Sequence, residues 1–238
     1  MYEIRVQEKI FENYPTFRRG IVLARRMKNQ GHSKELEDLL NSAIDEACEN
    51  AFDIKNDPRT EVWREAHRIF GSNPNKFPPA HCSLQKRVQK PGTRIPFINK
   101  VVAIMNYNSI RGVTPVGGDD LNKAGEYLVL RYADGDENFT PLGEPGVVER
   151  PEKGEIIYVV EGKKEVMCRR WNWRNGHNTL IDDGTRNIVM NIDTLGDDSE
   201  GRAVETRDRV AEMLKNFCEA EIVTTIITPS MTSYRFEI

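Results

Sequence analysis

The sequence predicts an α+β fold. Apolar residues recur at helical spacing through the first part of the chain and again near its end, while the stretch between them alternates at period two. Turn residues punctuate the alternating part. Helices grouped apart from strands indicate α+β rather than a regular α/β alternation.

The first sixty residues read as mainly helical after a short strand. SKELEDLLNSAIDEACENAF places Leu36, Leu39, Leu40, Ala43, Ile44 and Ala47 on one stripe, with Ser33 as N-cap. RTEVWREAHRIFGSNP predicts a second helix, stopped by Gly71 and Pro74. Between residues 71 and 96, prolines and glycines mark turns on either side of a short helix, His81 to Gln89. FINKVVAIMNYNSI sets Ile98, Val101, Val102 and Met105 at helical spacing, and TPVGGDDL ends that helix. Strands follow in YLVLRYA, GEIIYVV, EVMCRRWNWR and NIVMNI. Asn175–Gly176 predicts a hairpin turn, since both positions tolerate positive φ. EGRAVETRDRVAEMLKNFCEAE returns to helix, with Ala203, Val210, Leu214 and Phe217 on one side, and IVTTIIT closes as a strand. The expectation is a single domain over residues 1–238: a helical N-terminal segment at 1–60, then an α+β unit at 61–238 ending in a helix and a strand.

Composition narrows the function. Hydrophobic residues at 38% and charged residues at 30% suit a water-soluble globular chain. No apolar run approaches the roughly 18 residues that cross a bilayer, so no membrane partner is expected. MYEIRVQEKIFENYP lacks the apolar centre of a signal peptide, which makes a cytoplasmic location the expectation. Cys48, Cys82, Cys168 and Cys218 form no CxxC pair, and the four histidines form no HExxH, so neither a metal nor another cofactor is expected. His81 beside Cys82 reads as a packed pair. With a net charge of −3 and a pI of about 5.9, contact with nucleic acid would need a local basic face and would be weak and salt-sensitive.

Two short stretches could carry chemistry. CRRWNWRNG, read as a strand, puts Cys168, Arg170, Asn172 and Arg174 on one face and Arg169, Trp171 and Trp173 on the other. The tryptophans then cover a core, while the arginines either fork onto a phosphate or carboxylate or pair with acids such as Asp119 and Asp120. PVGGDD is not a phosphate-binding loop and reads as a turn. No GxSxG or histidine-paired nucleophile signature is present.

Taken together and in order, FGSNPNKFPP, IPFINKVVAIMNYNSIRGVTPVGGDDL, LVLRYADGDENFTPLG, GEIIYVV, CRRWNWRNGHNT and TRNIVMNID resemble freestanding relatives of the B3/B4 domain. That domain is the editing module of the phenylalanyl-tRNA synthetase beta subunit. The resemblance runs from about Phe70 to Asp193 and implies a fold of mixed β-sheets flanked by helices. It implies hydrolysis of a mischarged aminoacyl ester by a positioned water, with no covalent nucleophile; nothing of the synthetase's catalytic core is present, so aminoacylation is not expected. The family's Thr–Asn dipeptide falls on Ile98–Asn99, its pocket histidine on Gly117, its closing aspartate on Asp120 and its tyrosine-recognising glutamate on Asn191.

The resulting expectation is an aminoacyl-tRNA deacylase acting in trans. Asn99, Gly117, Gly118, Asp120, Asn172 and Asn191 are the candidate substrate-binding positions, Asn106 and Asn108 would position the amine or the water, and Arg170 and Arg174 would meet phosphate. The partner would be tRNA or aminoacyl-tRNA, or a free amino acid. The alternative is a module that binds an amino acid, a nucleotide or tRNA without hydrolysis. The sequence leaves the oligomeric state open.

Overall fold

A computed structural model describes residues 1–237; Ile238, the last residue of the predicted second unit, lies outside the described residues. In chain order the elements are β1 (Tyr2–Val6), α1 (Glu8–Asn13), β2 (Arg18–Arg25), α2 (Lys34–Glu49), α3 (Pro58–Ile69), α4 (Ala80–Val88), α5 (Lys100–Gly112), β3 (Val116–Asp120), α6 (Leu121–Ala124), β4 (Tyr127–Tyr132), β5 (Ile156–Val160), β6 (Glu165–Arg169), β7 (Arg174–Asn175), β8 (Ile188–Thr194), α7 (Ser199–Cys218), β9 (Glu221–Ile227) and β10 (Ser233–Phe236). The fold is α+β, with two sheets flanked by helices. No described helix is long and apolar enough to cross a membrane.

One sheet has six strands in the order β10-β1-β4-β5-β6-β7, and the other has four in the order β3-β8-β2-β9. Among the described strands, only β1 and β4 pair in parallel. One core lies on the face of the four-stranded sheet that carries Ile21, Leu23 and Val189; it joins Leu128, Ile156 and Tyr158 of the larger sheet with Trp63 of α3. The opposite face, with Val22, Met190 and Ile192, packs under α2, α5 and α7. Both faces of this sheet are therefore covered, and all seven residues of β8 are buried.

That double burial explains why β2 escapes the sequence reading. RRGIVLAR lies between β8 and β9, and a strand covered on both sides carries no polar alternation to announce it. The short strand expected first is β1, and the helical reading of residues 1–60 holds for Lys34–Glu49, where Ser33 Oγ accepts from the Leu36 amide, but not for β2.

Three further elements differ from expectation. PVGGDD is not a turn: Val116–Asp120 is the edge strand β3, held by its register with β8. The strand predicted through Arg174 stops at Arg169, and the chain reverses over residues 170–173 rather than at Asn175–Gly176. Arg170 and Trp171 both take positive φ, 47° and 65°, and outside bonds hold the turn: the Trp171 amide donates to Ile156 O, and the Ala80 amide donates to Asn172 O. Tertiary hydrogen bonding thus overrides the local Asn–Gly preference. The closing strand is two strands, the second of which returns to pair with β1.

Candidate functional site

A cavity of about 370 Å³ opens beside β3, walled by α4, α5, β3, β8 and the β6–β7 turn, with Arg19 of β2 and Tyr158 of β5 among its lining residues. Strand register assembles the wall. Gly117 pairs with Asn191, and Asp193, two positions along β8, pairs with Arg19. Side chains two apart on a strand share a face, so Gly117, Asp119, Asn191, Asp193 and Arg19 all present to one side of the sheet.

Arg19 and Asp193 meet as a two-pronged pair, Nε to Oδ1 and Nη2 to Oδ2, each 2.7 Å, and both are buried. Trp171 Nε1 also donates to Asp193 Oδ2 at 3.1 Å, which ties the turn to the wall. Asp119 is buried and accepts from Thr179 Oγ1 at 2.6 Å. Burial pushes its carboxyl up to about 6, against the Thr179 hydrogen bond and Arg19, with Asp120 adding to the rise. Polar atoms of several lining residues are buried without a well-aligned hydrogen-bond partner among the described residues: Arg19 Nη1, Asn172 Nδ2, Tyr158 Oη and Asn191 Oδ1. Such groups ordinarily find a partner, and here four of them gather in one wall, Tyr158 and Asn191 side by side.

The cavity brings together Asn106, Gly117, Gly118, Asn172 and Asn191 of the predicted positions. The two glycines differ in kind. A Cβ on Gly117 would meet nothing within 4 Å, whereas one on Gly118 would meet Val189 O at 3.0 Å and Met190 Cγ at 3.1 Å. Gly117 gives space, and Gly118 permits close packing.

The other predicted positions lie outside the lining. Asn99 is the N-cap of α5, accepting from the Val102 amide at 2.9 Å. Asn108 sits about 200° around the helix from Asn106 and faces α7, taking Arg209 Nε at 2.8 Å. Asp120 caps α6 and accepts from Thr185 Oγ1 at 2.7 Å. Arg170 is buried, pairs with Glu152 at 3.0 Å and lies 3.9 Å over the Phe77 ring. Arg174 pairs with Glu144. Neither arginine pairs with Asp119 or Asp120.

The sequence reading missed Arg19, Asp119, Tyr158 and Asp193 as wall residues. Asp193 and Asp119 carried a usable signal, each lying two positions along a strand from a nominated residue, Asn191 or Gly117. Arg19 had none without β2.

Besides Ser83, which lies exposed at the cavity mouth, three groups in the wall could suggest covalent or histidine catalysis. Cys168 is present, but burial pushes its thiol well above the usual range, so it is held protonated. Burial lowers His81 to about 3, leaving a neutral and weak base. Ser109 Oγ is committed to Thr114 O at 2.8 Å.

A family model described as "B3/4 domain" matches residues 62–219, well over half of the chain. No curated protein matches the sequence. Among solved structures, the chain is similar to an N-terminal fragment of the phenylalanyl-tRNA synthetase beta-subunit from Pyrococcus horikoshii, at 11% identity and a TM-score of 0.47. That similarity covers 94% of this chain and 53% of the fragment, so the chain spans about half the length of the structure it matches.

Proposed function

The chain belongs to the B3/4 domain family, and on that premise we propose that it is an aminoacyl-tRNA deacylase acting in trans. Water attacks the carbonyl carbon of the ester, the acyl–oxygen bond breaks, and the proton released by the water passes to the departing ribose oxygen. The observation that carries the reading is a cavity lined by amide side chains and a buried carboxyl, with its one thiol held protonated. Such a wall orients a carbonyl and a water.

Gly117 occupies the position at which the family carries a histidine, and the space it leaves suits the end of an adenosine. Asn106 and Asn191, whose carboxamides line the cavity, are assigned to the acyl group and the water. Phosphate contact is assigned to the rim. Arg87 reaches the cavity mouth from the last turn of α4; Lys86 and Lys90 flank it, and all three are exposed. None of the three forms an ion pair among the described residues, unlike Arg170 and Arg174. These assignments imply weak, salt-sensitive tRNA binding, as expected of an acidic chain.

The test is incubation of the purified chain with tRNAs carrying non-cognate amino acids, tyrosine isomers included. Loss of at least one ester faster than in buffer is the expected result. A second reading, a binder without hydrolysis, is favoured by Gly117 at the histidine position and by the weakness of His81 as a base. A ligand that raises the melting temperature with no ester lost would select it.

A further inference from the structure

We infer that Asp119 is the anchor for a primary ammonium, so that the cavity selects aminoacyl groups whose α-amine is free. This rests on the deacylase reading for its choice of amine, although the wall that argues for it stands independently.

Charge points to a cation. Among the lining residues, Arg19 is neutralised by Asp193 through two 2.7 Å bonds, and Arg87 lies exposed at the rim. Asp119 has no ion-pair partner among the described residues, and its one side-chain hydrogen bond is from Thr179. A carboxylate buried without a counter-charge is costly. Within this cavity the balancing positive charge has to arrive with the ligand.

The acceptors point to the kind of cation. With Thr179 on Oδ1, Asp119 keeps Oδ2 wholly free for a compact donor. The other carboxylate in the wall, Asp193, is occupied by Arg19 and Trp171, so a hard metal ion would lack the several oxygens it requires. An ammonium brings three donors. The wall offers three oxygens with lone pairs to spare: the free Asp119 oxygen, Asn191 Oδ1 and Tyr158 Oη, the last two belonging to side chains that face each other. Asn191 lies opposite Gly117 in register, and Asp119 follows two residues along the same strand face, which sets these groups around one end of the cavity.

The test compares methyl esters of several L-amino acids with their N-acetyl counterparts by calorimetric titration into the full chain. At least one free-amine ester is expected to bind at least about tenfold more tightly than its acetylated form, the loss of one charge-assisted hydrogen bond. In D119N, which keeps the side-chain shape, that preference is expected to disappear. Equal binding of the acetylated esters to the wild-type chain, an unchanged preference in D119N, or no binding of any ester would each overturn the assignment. The same comparison on aminoacyl-tRNA and N-acetyl-aminoacyl-tRNA separates the two proposals. Preference for the free amine with no hydrolysis removes the deacylase and keeps the anchor; equal hydrolysis of both removes the anchor and keeps the deacylase.

Discussion

Arg19 and Asp193 stand opposite each other in the β2–β8 register and close a two-pronged ion pair beneath the cavity, both almost fully withdrawn from water. Removing one partner strands the other. R19M is expected to cost about 3–5 kcal/mol, as for other broken buried pairs. The double variant R19M/D193L should recover much of that loss, because no charge is left uncompensated. Denaturant melts of the three chains decide it, and a double variant no better than the single one would show that the pair is not the source of the cost.

Gly117 and Gly118 are neighbours with opposite tolerances. G117A has open space in front of it and removes freedom from the unfolded chain, so stability should hold or rise by about 0.4–1 kcal/mol. G118A drives a methyl against Val189 O and Met190 and should lose about 1–3 kcal/mol. Thermal melts that rank the two the other way would contradict the placement of β3.

Asp119 and the buried histidines give stability opposite dependences on pH. The folded Asp119 carboxyl titrates near 6, above its usual 3.8, so the folded chain holds that proton more tightly than the unfolded chain does. Its contribution falls as pH rises through this window and is constant above it. D119N should therefore gain on wild type between about pH 4 and 6 and keep a steady lead beyond. His67 and His81 are lowered by burial to about 4 and about 3, so both are neutral in the fold. Their contribution is complete above about pH 6.5 and is lost as pH falls below it. Melting temperatures of both chains from pH 4 to 8 test this; a gap between wild type and D119N that stays constant with pH would refute the Asp119 assignment.

The α4 rim separates RNA affinity from cavity binding. K86E/K90E is expected to weaken tRNA binding and flatten its dependence on salt, with the logarithmic slope falling by roughly one for each phosphate no longer neutralised. Affinity for an amino-acid ester should be unchanged. Filter binding at several salt concentrations reads the first effect and calorimetry the second.

Much of this was legible in the sequence where local rules govern. Ser33 caps α2, and the α7 residues Ala203, Val210 and Leu214 are buried as their spacing requires. The Asn106 and Asn108 pair failed on geometry: two residues on a helix point apart, and one of them is spent on Arg209. CRRWNWRNG failed on context. Its reversal at Arg170–Trp171 depends on Ile156 and Asp193, neither of which is near in sequence. Arg19 and β2 were hidden for the same reason, since a strand buried on both faces shows its register only through its neighbours.

The position of β2 carries a practical consequence for anyone trimming the chain. A gene fragment cut to the family's borders, residues 62–219, would retain β8 but discard both β2 and β9. The sheet would shrink to a hairpin-sized remnant with a raw hydrophobic flank, Asp193 would be orphaned, and the product should go to inclusion bodies.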